Sequence, residues 1–196
     1  MALSLTTASS ADPLSTAEAK LYLGIDHSND DDHIDNFVLP AARQEAETFT
    51  HRAFTNQTYV LRLTSFPDGP IILPRPPLSS VTSVTYIDTA GDSQTWASSK
   101  YTVETPTGER ALWATIQPVY GEVYPSTRSI VDAVTVTFVA GYGSAASSIP
   151  SGIKAGVGLL CRYYYDPDGT DGEKSRAAAV SILMPYLAWR ADLRFD

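Results

Sequence analysis

Acidic and imidazole side chains are concentrated in one short stretch near the N-terminus. This stretch, which we call the acidic segment, contains Asp26, His27, Asp30, Asp31, Asp32, His33 and Asp35. Carboxylates and imidazoles bind divalent metals and activate water, so a metal-dependent hydrolytic site is one interpretation. On a helix, however, the consecutive residues Asp31, Asp32 and His33 point in different directions and cannot converge on one ion unaided. We therefore favour the other interpretation, in which these acids stabilise the positive end of a helix dipole.

The rest of the sequence offers little to an enzyme. The single cysteine, Cys161, has no CxxC or Cys/His spacing and cannot form an internal disulfide. No serine lies in a GxSxG nucleophile elbow. Residues 141–146 fit GxGxxA, but serines and a proline delay the helix that a dinucleotide loop requires. The sequence predicts a protein without enzymatic activity, cofactor or metal ion.

The composition predicts a globular protein that does not read nucleic-acid sequence. The chain has 196 residues, 43% of them hydrophobic and 18% charged, which is enough to bury a sizeable core. The net charge is −8, most of it in the N-terminal third, and no basic stripe is present. Sequence-specific DNA binding is therefore not expected. No apolar run approaches the roughly 18 residues that a membrane span needs, and a signal peptide is not expected.

Several aromatic residues lie in the middle of the chain without lysines or arginines between them, unlike the aromatic residues of single-strand binding grooves. They are Trp96, Tyr101, Trp113, Tyr120 and Tyr124. We expect them to pack against a sheet or in a subunit interface.

Helical signals occupy the first quarter of the chain. Ser15 and Glu18 form a capping box that predicts a helix to about Leu23, and we expect residues 1–14 to be a flexible segment. A second helix should run from about residue 31 to 51. Pro40 lies inside it and should kink it near residues 36–37, because proline removes a backbone donor.

The hydrophobic period changes to two between about residues 56 and 140, and then returns to that of helices. The strands are too closely spaced for helical crossovers, so they should be antiparallel. The predicted fold class is α+β: a helical core of two N-terminal and two C-terminal helices, about 15–52 and 148–189, with an inserted antiparallel β lobe. We expect residues 15–190 to form a single domain, followed by a short C-terminal tail.

Four short motifs follow one another in an order that resembles a known family. They are LSTAEAK at 14–20, LPRPPL at 73–78, FVAGYG at 138–143 and LMPY at 183–186. In this order they resemble the head-tail connector (adaptor) proteins of long-tailed bacteriophages and gene transfer agents. The resemblance extends from about residue 14 to 189.

The resemblance implies a structural protein of the virion or gene-transfer-agent particle, present in the host cytoplasm before assembly. It implies a homo-oligomeric, twelve-fold ring beneath the portal protein, with a head-completion (stopper) or tail-connector protein bound below. DNA would pass through the ring without sequence-specific binding. The alternatives left open are a metal-dependent hydrolase built on residues 27–35, and another structural or binding protein of the virion.

Two sets of residues become candidate sites within this resemblance. The aspartates of the acidic segment would face the channel and repel phosphate; they are Asp26, Asp30, Asp31, Asp32 and Asp35. The C-terminal tail would dock on the portal. Its apolar anchors would be Leu193 and Phe195, with Arg190 and Arg194 pairing with acids at the rim.

Overall fold

The computed structural model of the chain describes residues 1–9, 11–166 and 171–188. It confirms the α+β class and divides into two compact units. The β unit consists of Met1–Ala8 and Asn56–Tyr142, and the helical unit of the described residues within 9–55 and 143–188. The two units correspond to the helical core and the inserted β lobe of the predicted fold class, and each buries apolar residues of its own. The single domain over residues 15–190 stays a prediction.

The helical unit contains the two N-terminal and two C-terminal helices that were predicted, the second of them in three parts. Its described elements are α1 (Thr16–Leu23), α2 (Asp31–His33), a π-helical turn (Ile34–Val38), α3 (Leu39–Thr50), a 3₁₀ turn (Ala146–Ser148), α4 (Ser151–Tyr165), α5 (Gly172–Leu183) and a second 3₁₀ turn (Met184–Tyr186). No helix in the described parts of the chain is both long and apolar enough to cross a membrane.

The beginning of α1 and the bend before α3 follow from local chemistry. Ser15 and Glu18 make both bonds of the predicted capping box, and Gly24 ends α1 in the left-handed conformation with φ 72°. The predicted kink is present as the π-helical turn, in which the Leu39 N–H donates to the carbonyl of Ile34. The π-helical turn ends at Val38, two residues before Pro40. Proline has no backbone N–H, so the wider hydrogen-bond spacing of the turn lies where Pro40 interrupts the helical hydrogen bonds.

Helix α4 carries three glycines at positions where other side chains lie very close. A Cβ atom at Gly156 would lie 2.6 Å from Cγ of Leu183, and one at Gly158 would lie 2.5 Å from Cδ2 of Tyr22. Gly152 approaches Tyr186 in the same way, at 2.6 Å from its hydroxyl oxygen. The absence of a side chain at these positions therefore allows α1, α5 and the last 3₁₀ turn to pack closely on α4.

The buried face at the end of the helical unit differs from the helical pattern in the sequence. That pattern places Val180, Leu183, Met184 and Leu187 inward. Leu183 is buried, but Met184 is 52% and Leu187 37% exposed, and Tyr186 is buried instead. The reason is the 3₁₀ turn around Pro185, which replaces the 3.6-residue period by one of three.

The β unit contains two antiparallel sheets in its described residues. The strands are β1 (Ala2–Thr7), β2 (Gln57–Leu63), β3 (Ile71–Leu73), β4 (Leu78–Ile87), β5 (Ser93–Thr95), β6 (Tyr101–Glu104), β7 (Ala114–Pro118) and β8 (Val134–Ala140). One sheet has five strands in the order β1-β2-β8-β4-β5, and the other has three in the order β3-β7-β6.

Strand β8 is the middle strand of the larger sheet, and its side chains alternate strictly between buried and partly exposed positions. Val134, Val136, Phe138 and Ala140 are all buried, as the period of two predicts. Phe138 also stacks on Tyr59 of β2, with the ring centroids 5.7 Å apart. The pairing of β8 with both β2 and β4 therefore places the most apolar strand in the middle of its sheet.

Part of the N-terminal segment, which the sequence led us to expect to be flexible, lies in a strand of the larger sheet. Residues 2–7 form β1, which pairs with β2 so that Leu3 lies opposite Leu61 and Leu5 opposite Tyr59. The short alternation of Leu3, Ser4 and Leu5 is compatible with a strand, but it is stabilised by a partner more than 50 residues away. This long-range pairing has no local signal in the sequence.

Candidate functional site

The acidic segment lies at the start of the second helix, where two of its aspartates contact other helices. The carboxylate of Asp31 pairs with Nζ of Lys20 in α1 at 2.7 Å. Asp30 accepts a hydrogen bond from the hydroxyl of Tyr165 in α4, also at 2.7 Å. Its side chain makes no capping hydrogen bond to the backbone of α2. These two aspartates therefore tie α2 to α1 and α4.

The other three aspartates of the segment face solvent. Asp35 is exposed and accepts a hydrogen bond from the hydroxyl of Thr16. Asp26 and Asp32 are exposed, and the structure shows no ion pair for either within the described residues. The segment thus offers a partly neutralised acidic surface, with Asp26, Asp32 and Asp35 as its outward-facing charges.

The histidines of the segment do not join these acids in a metal site. His33 stacks on Phe37, with ring centroids 5.7 Å apart, and Nδ1 of His27 lies 3.9 Å from the carboxylate of Asp30. Among residues 1–9, 11–166 and 171–188, no three His, Cys, Asp or Glu side chains are grouped so that they could hold a metal ion. The geometry that the hydrolase interpretation requires is therefore missing from the described chain.

Two further polar clusters in the helical unit had no signal in the sequence. Glu18 accepts a 2.7 Å hydrogen bond from Nζ of Lys154 in α4, and this contact, with the bond from the Ser15 backbone, lowers the pKa of Glu18 to about 2. Glu45 of α3 accepts hydrogen bonds from the Tyr164 hydroxyl at 2.7 Å and from Arg176 Nε at 2.8 Å. Burial, followed by the Glu45 bond, raises the pKa of Tyr164 to about 12.

The Glu18–Lys154 pair is expected to stabilise the helical unit at neutral pH and to lose this effect in acid. The folded-state pKa of Glu18 is below its ordinary value of 4.5, so the contribution is complete above pH 4.5 and falls away as the pH approaches 2. Because the Glu18 side chain is 41% exposed, we expect only about 0.5–1 kcal/mol for the Lys154→Met variant at pH 7.

Urea unfolding at pH 7 and at about pH 2.5 measures this difference. The matched control is Lys174→Met, which removes the exposed pair with Asp171 and should change the unfolding free energy at neither pH. A Lys154→Met effect of equal size at both pH values would contradict the assignment.

Large apolar side chains are exposed on both units. In the helical unit they include Leu21 and Phe37, and in the β unit Leu5, Tyr120, Val123 and Val131. Of the aromatic residues expected to pack or to form an interface, Trp96, Tyr101 and Tyr124 pack together, whereas Tyr120 is fully exposed. Exposed apolar side chains of this kind are available for contacts with other proteins.

The candidate docking residues of the C-terminal tail, Arg190, Leu193, Arg194 and Phe195, lie outside the described residues. The last described residue, Ala188, donates its backbone N–H to the carbonyl of Thr50 at 2.9 Å. This bond fixes the point on the helical unit from which the tail continues.

Comparison with solved structures identifies chains that have a similar fold. No protein-family model matches the sequence, and no curated protein matches it. A chain from the virion of a native gene transfer agent (GTA) particle is similar over 97% of both chains, with a TM-score of 0.76 and 23% identity. Chains from the necks of GTA particles also match over 97% of both chains. The one from an empty particle, with C6 symmetry, has a TM-score of 0.77 and 22% identity, and the one from a native particle, with C12 symmetry, has 0.71 and 21%.

These likenesses show a shared fold over nearly the whole chain. They include both the helical and the strand-rich parts, since 97% of this chain is covered in each comparison.

Proposed function

We propose that this protein is a structural head-tail adaptor in the neck of a phage-like or gene-transfer-agent particle. The observation that carries this proposal is the similarity to GTA neck and virion chains over 97% of both chains. A fold alone can serve many functions, but here the match extends over nearly the whole of both chains. The order of sequence motifs at 14–20, 73–78, 138–143 and 183–186 supports the same assignment independently.

In this role the chain forms a ring beneath the portal protein, extends the DNA channel and docks the next connector, stopper or tail protein. Such a function requires surfaces rather than reactive groups, and large apolar side chains are exposed on both units within the described residues. A twelve-fold ring is the expected arrangement, supported by the C6 and C12 symmetry of the necks that contain similar chains.

The acidic segment is our candidate for the channel wall. Its outward-facing charges are Asp26, Asp32 and Asp35, while Asp30 and Asp31 support the same surface through their bonds to α4 and α1. A ring repeats these charges around its axis, and the summed field would repel phosphate and let DNA pass without adhering.

The C-terminal tail is our candidate for portal docking. It continues from Ala188, which is fixed to the helical unit, and alternates the apolar residues Leu193 and Phe195 with charged ones. Apolar anchors on a short segment can fill pockets of a partner while the charged residues pair at the rim.

A reconstruction of particles containing this chain by electron microscopy tests the proposal. We expect a ring of twelve copies between portal and tail, with Asp26 and Asp32 facing the lumen, and tail-less heads when the protein is withheld from assembly. A ring in which the acidic segment faces outward would reject the channel assignment alone. Absence of the protein from the neck would reject the adaptor role.

A further inference from the structure

The outer edge of β1 is an exposed sheet edge that lacks the usual protection. β1 is the first strand of the larger sheet and, within the described residues, it pairs only with β2. Residues 1–8 contain no charged side chain and no proline. The backbone groups along this edge are therefore open to pairing with another strand.

The other edge strands of the described chain have features that oppose such pairing. β3 is flanked by Pro70 and Pro74, and β6 ends at Glu104. β5 has only three residues and follows Asp92. Prolines, charges and short length are the means by which proteins block edge-to-edge association. β1 is thus the edge best suited to accept a further strand.

The core face of the larger sheet is also left uncovered at β1. Leu5 lies opposite Tyr59 of β2, and residues opposite each other in an antiparallel pair share one face of the sheet. Tyr59 is buried on this face, but Leu5 is 51% exposed. Met1, which borders an apolar pocket together with Leu61, is 50% exposed. One further strand with an apolar face would cover these side chains.

Residues 189–196, the C-terminal tail together with Trp189, have the pattern that such a strand requires. Apolar residues alternate strictly with charged ones, the apolar set being Trp189, Ala191, Leu193 and Phe195, and the charged set Arg190, Asp192, Arg194 and Asp196. In a strand this period of two puts the apolar side chains on one face and the charges on the other. Eight residues in a strand span about 26 Å, enough to cover the six residues of β1.

This segment starts close enough to β1 to reach it. Ala188 donates its backbone N–H to the carbonyl of Thr50 at 2.9 Å. The chain that follows β1 is attached nearby, because the Thr55 hydroxyl donates to the Ala11 carbonyl at 3.0 Å. The Cα atoms of Thr50 and Thr55 are at most about 18 Å apart, less than the reach of eight extended residues. The segment meets the C-terminal end of β1 first, so a strand continuing along β1 would run antiparallel to it.

We propose that residues 189–196 of the free subunit pair antiparallel with the outer edge of β1 in the same chain. A register with Leu193 opposite Leu3 aligns the apolar residues of the two strands along their length. Portal binding then removes the tail from β1, so this edge is uncovered only when a portal is present. The release rests on the proposed docking of the tail on the portal, whereas the pairing with β1 does not.

The pairing is expected to be weak enough for a portal to displace it. A short tether gives an effective concentration in the millimolar range, and a single pair of strands is only marginally stable in water. We expect the segment to occupy the edge of β1 about half of the time, which changes the unfolding equilibrium constant of the protein about two-fold.

Disulfide formation between engineered cysteines tests the pairing. Leu5→Cys/Ala191→Cys places both thiols on the apolar face and should give an internal disulfide in dilute, monomeric protein. The control, Leu5→Cys/Asp192→Cys, moves one thiol by a single residue to the charged face and should form its disulfide several times more slowly. Cys161 is fully buried and burial raises its thiol pKa to about 12, so it will not compete.

Two outcomes of this experiment would overturn the inference. Equal rates for the two double variants would show that residues 189–196 move past β1 without a preferred face. Covalent multimers in place of the internal disulfide would show that the tail of a second copy occupies the edge.

Particle assembly tests the release of the tail. Oxidised Leu5→Cys/Ala191→Cys should not enter particles, and a reductant should restore its incorporation to the level of the Leu5→Cys single variant. Incorporation of the oxidised protein at that level would refute the release.

The pairing and the portal docking can fail separately. If the disulfide rates differ as expected but deletion of residues 191–196 leaves incorporation unchanged, the docking role fails while the pairing with β1 stands. If the rates are equal but the deletion abolishes incorporation, the pairing fails while the docking role stands.

Discussion

Replacement of Gly156 by valine is expected to destabilise the helical unit by about 2–3 kcal/mol. A Cβ atom at this position would lie 2.6 Å from Cγ and 2.7 Å from Cδ2 of Leu183, closer than carbon atoms approach without repulsion. Leu183 is only 1% exposed, so it has little space into which it could move. The helices α4 and α5 would have to separate, and the apolar contacts between them would be lost.

Chemical unfolding of Gly156→Val against Arg162→Val checks this expectation. Arg162 is an exposed residue of the same helix, so its replacement introduces valine into α4 without overpacking and should cost well under 1 kcal/mol. Adding Leu183→Ala to Gly156→Val should cost less than the two single changes combined, because space is then made for the new side chain. Equal effects at Gly156 and Arg162 would mean that α5 does not limit the size of residue 156.

Deletion of residues 191–196 is expected to reduce incorporation into particles to background. The proposed docking role assigns the apolar contacts with the portal to Leu193 and Phe195, and truncation removes both of them. The unfolding free energy should stay within about 0.5 kcal/mol, since the deletion lies beyond Ala188, the last residue with a described bond to the helical unit. Quantifying the protein in purified particles, alongside thermal unfolding of the free protein, measures both effects.

Paired substitutions separate the anchors from the rest of the tail. Leu193→Ser/Phe195→Ser should reproduce the deletion, whereas the control Asp192→Asn/Asp196→Asn should incorporate normally. If the truncated protein joins heads and tails at the usual level, the portal-docking surface lies on the body of the protein instead.

The elements that could be predicted from the sequence are those determined by neighbouring residues. The capping box at Ser15, the disturbance before Pro40 and the buried alternation of β8 all arise within a few residues of the chain, and the structure has each of them. Strand β1 lies outside the predicted β lobe. Its few, largely exposed residues are stabilised by the pairing with β2 rather than by their own pattern.

The candidate sites were harder to predict, because their properties depend on distant residues. The acidic segment was visible as a run of aspartates, but its partners Lys20 and Tyr165 lie on other helices. The glycines of α4 carry a signal in the sequence, since glycine is unfavourable inside a helix, but only the packing shows that Leu183 and Tyr22 require them. Tyr120 resembled other packed aromatic residues, and its exposure depends on the turn at Gly121.

The division of the chain between the two units sets an order for folding during synthesis. Every strand of the described chain is complete by residue 140, whereas the helical unit needs α4 and α5, which begin at Ser151 and Gly172. As the chain leaves the ribosome, the β unit can therefore close while α1 to α3 still lack their partners. The apolar faces of those early helices would then be exposed until the last quarter of the protein has been made, so this interval is when a chaperone would be most useful.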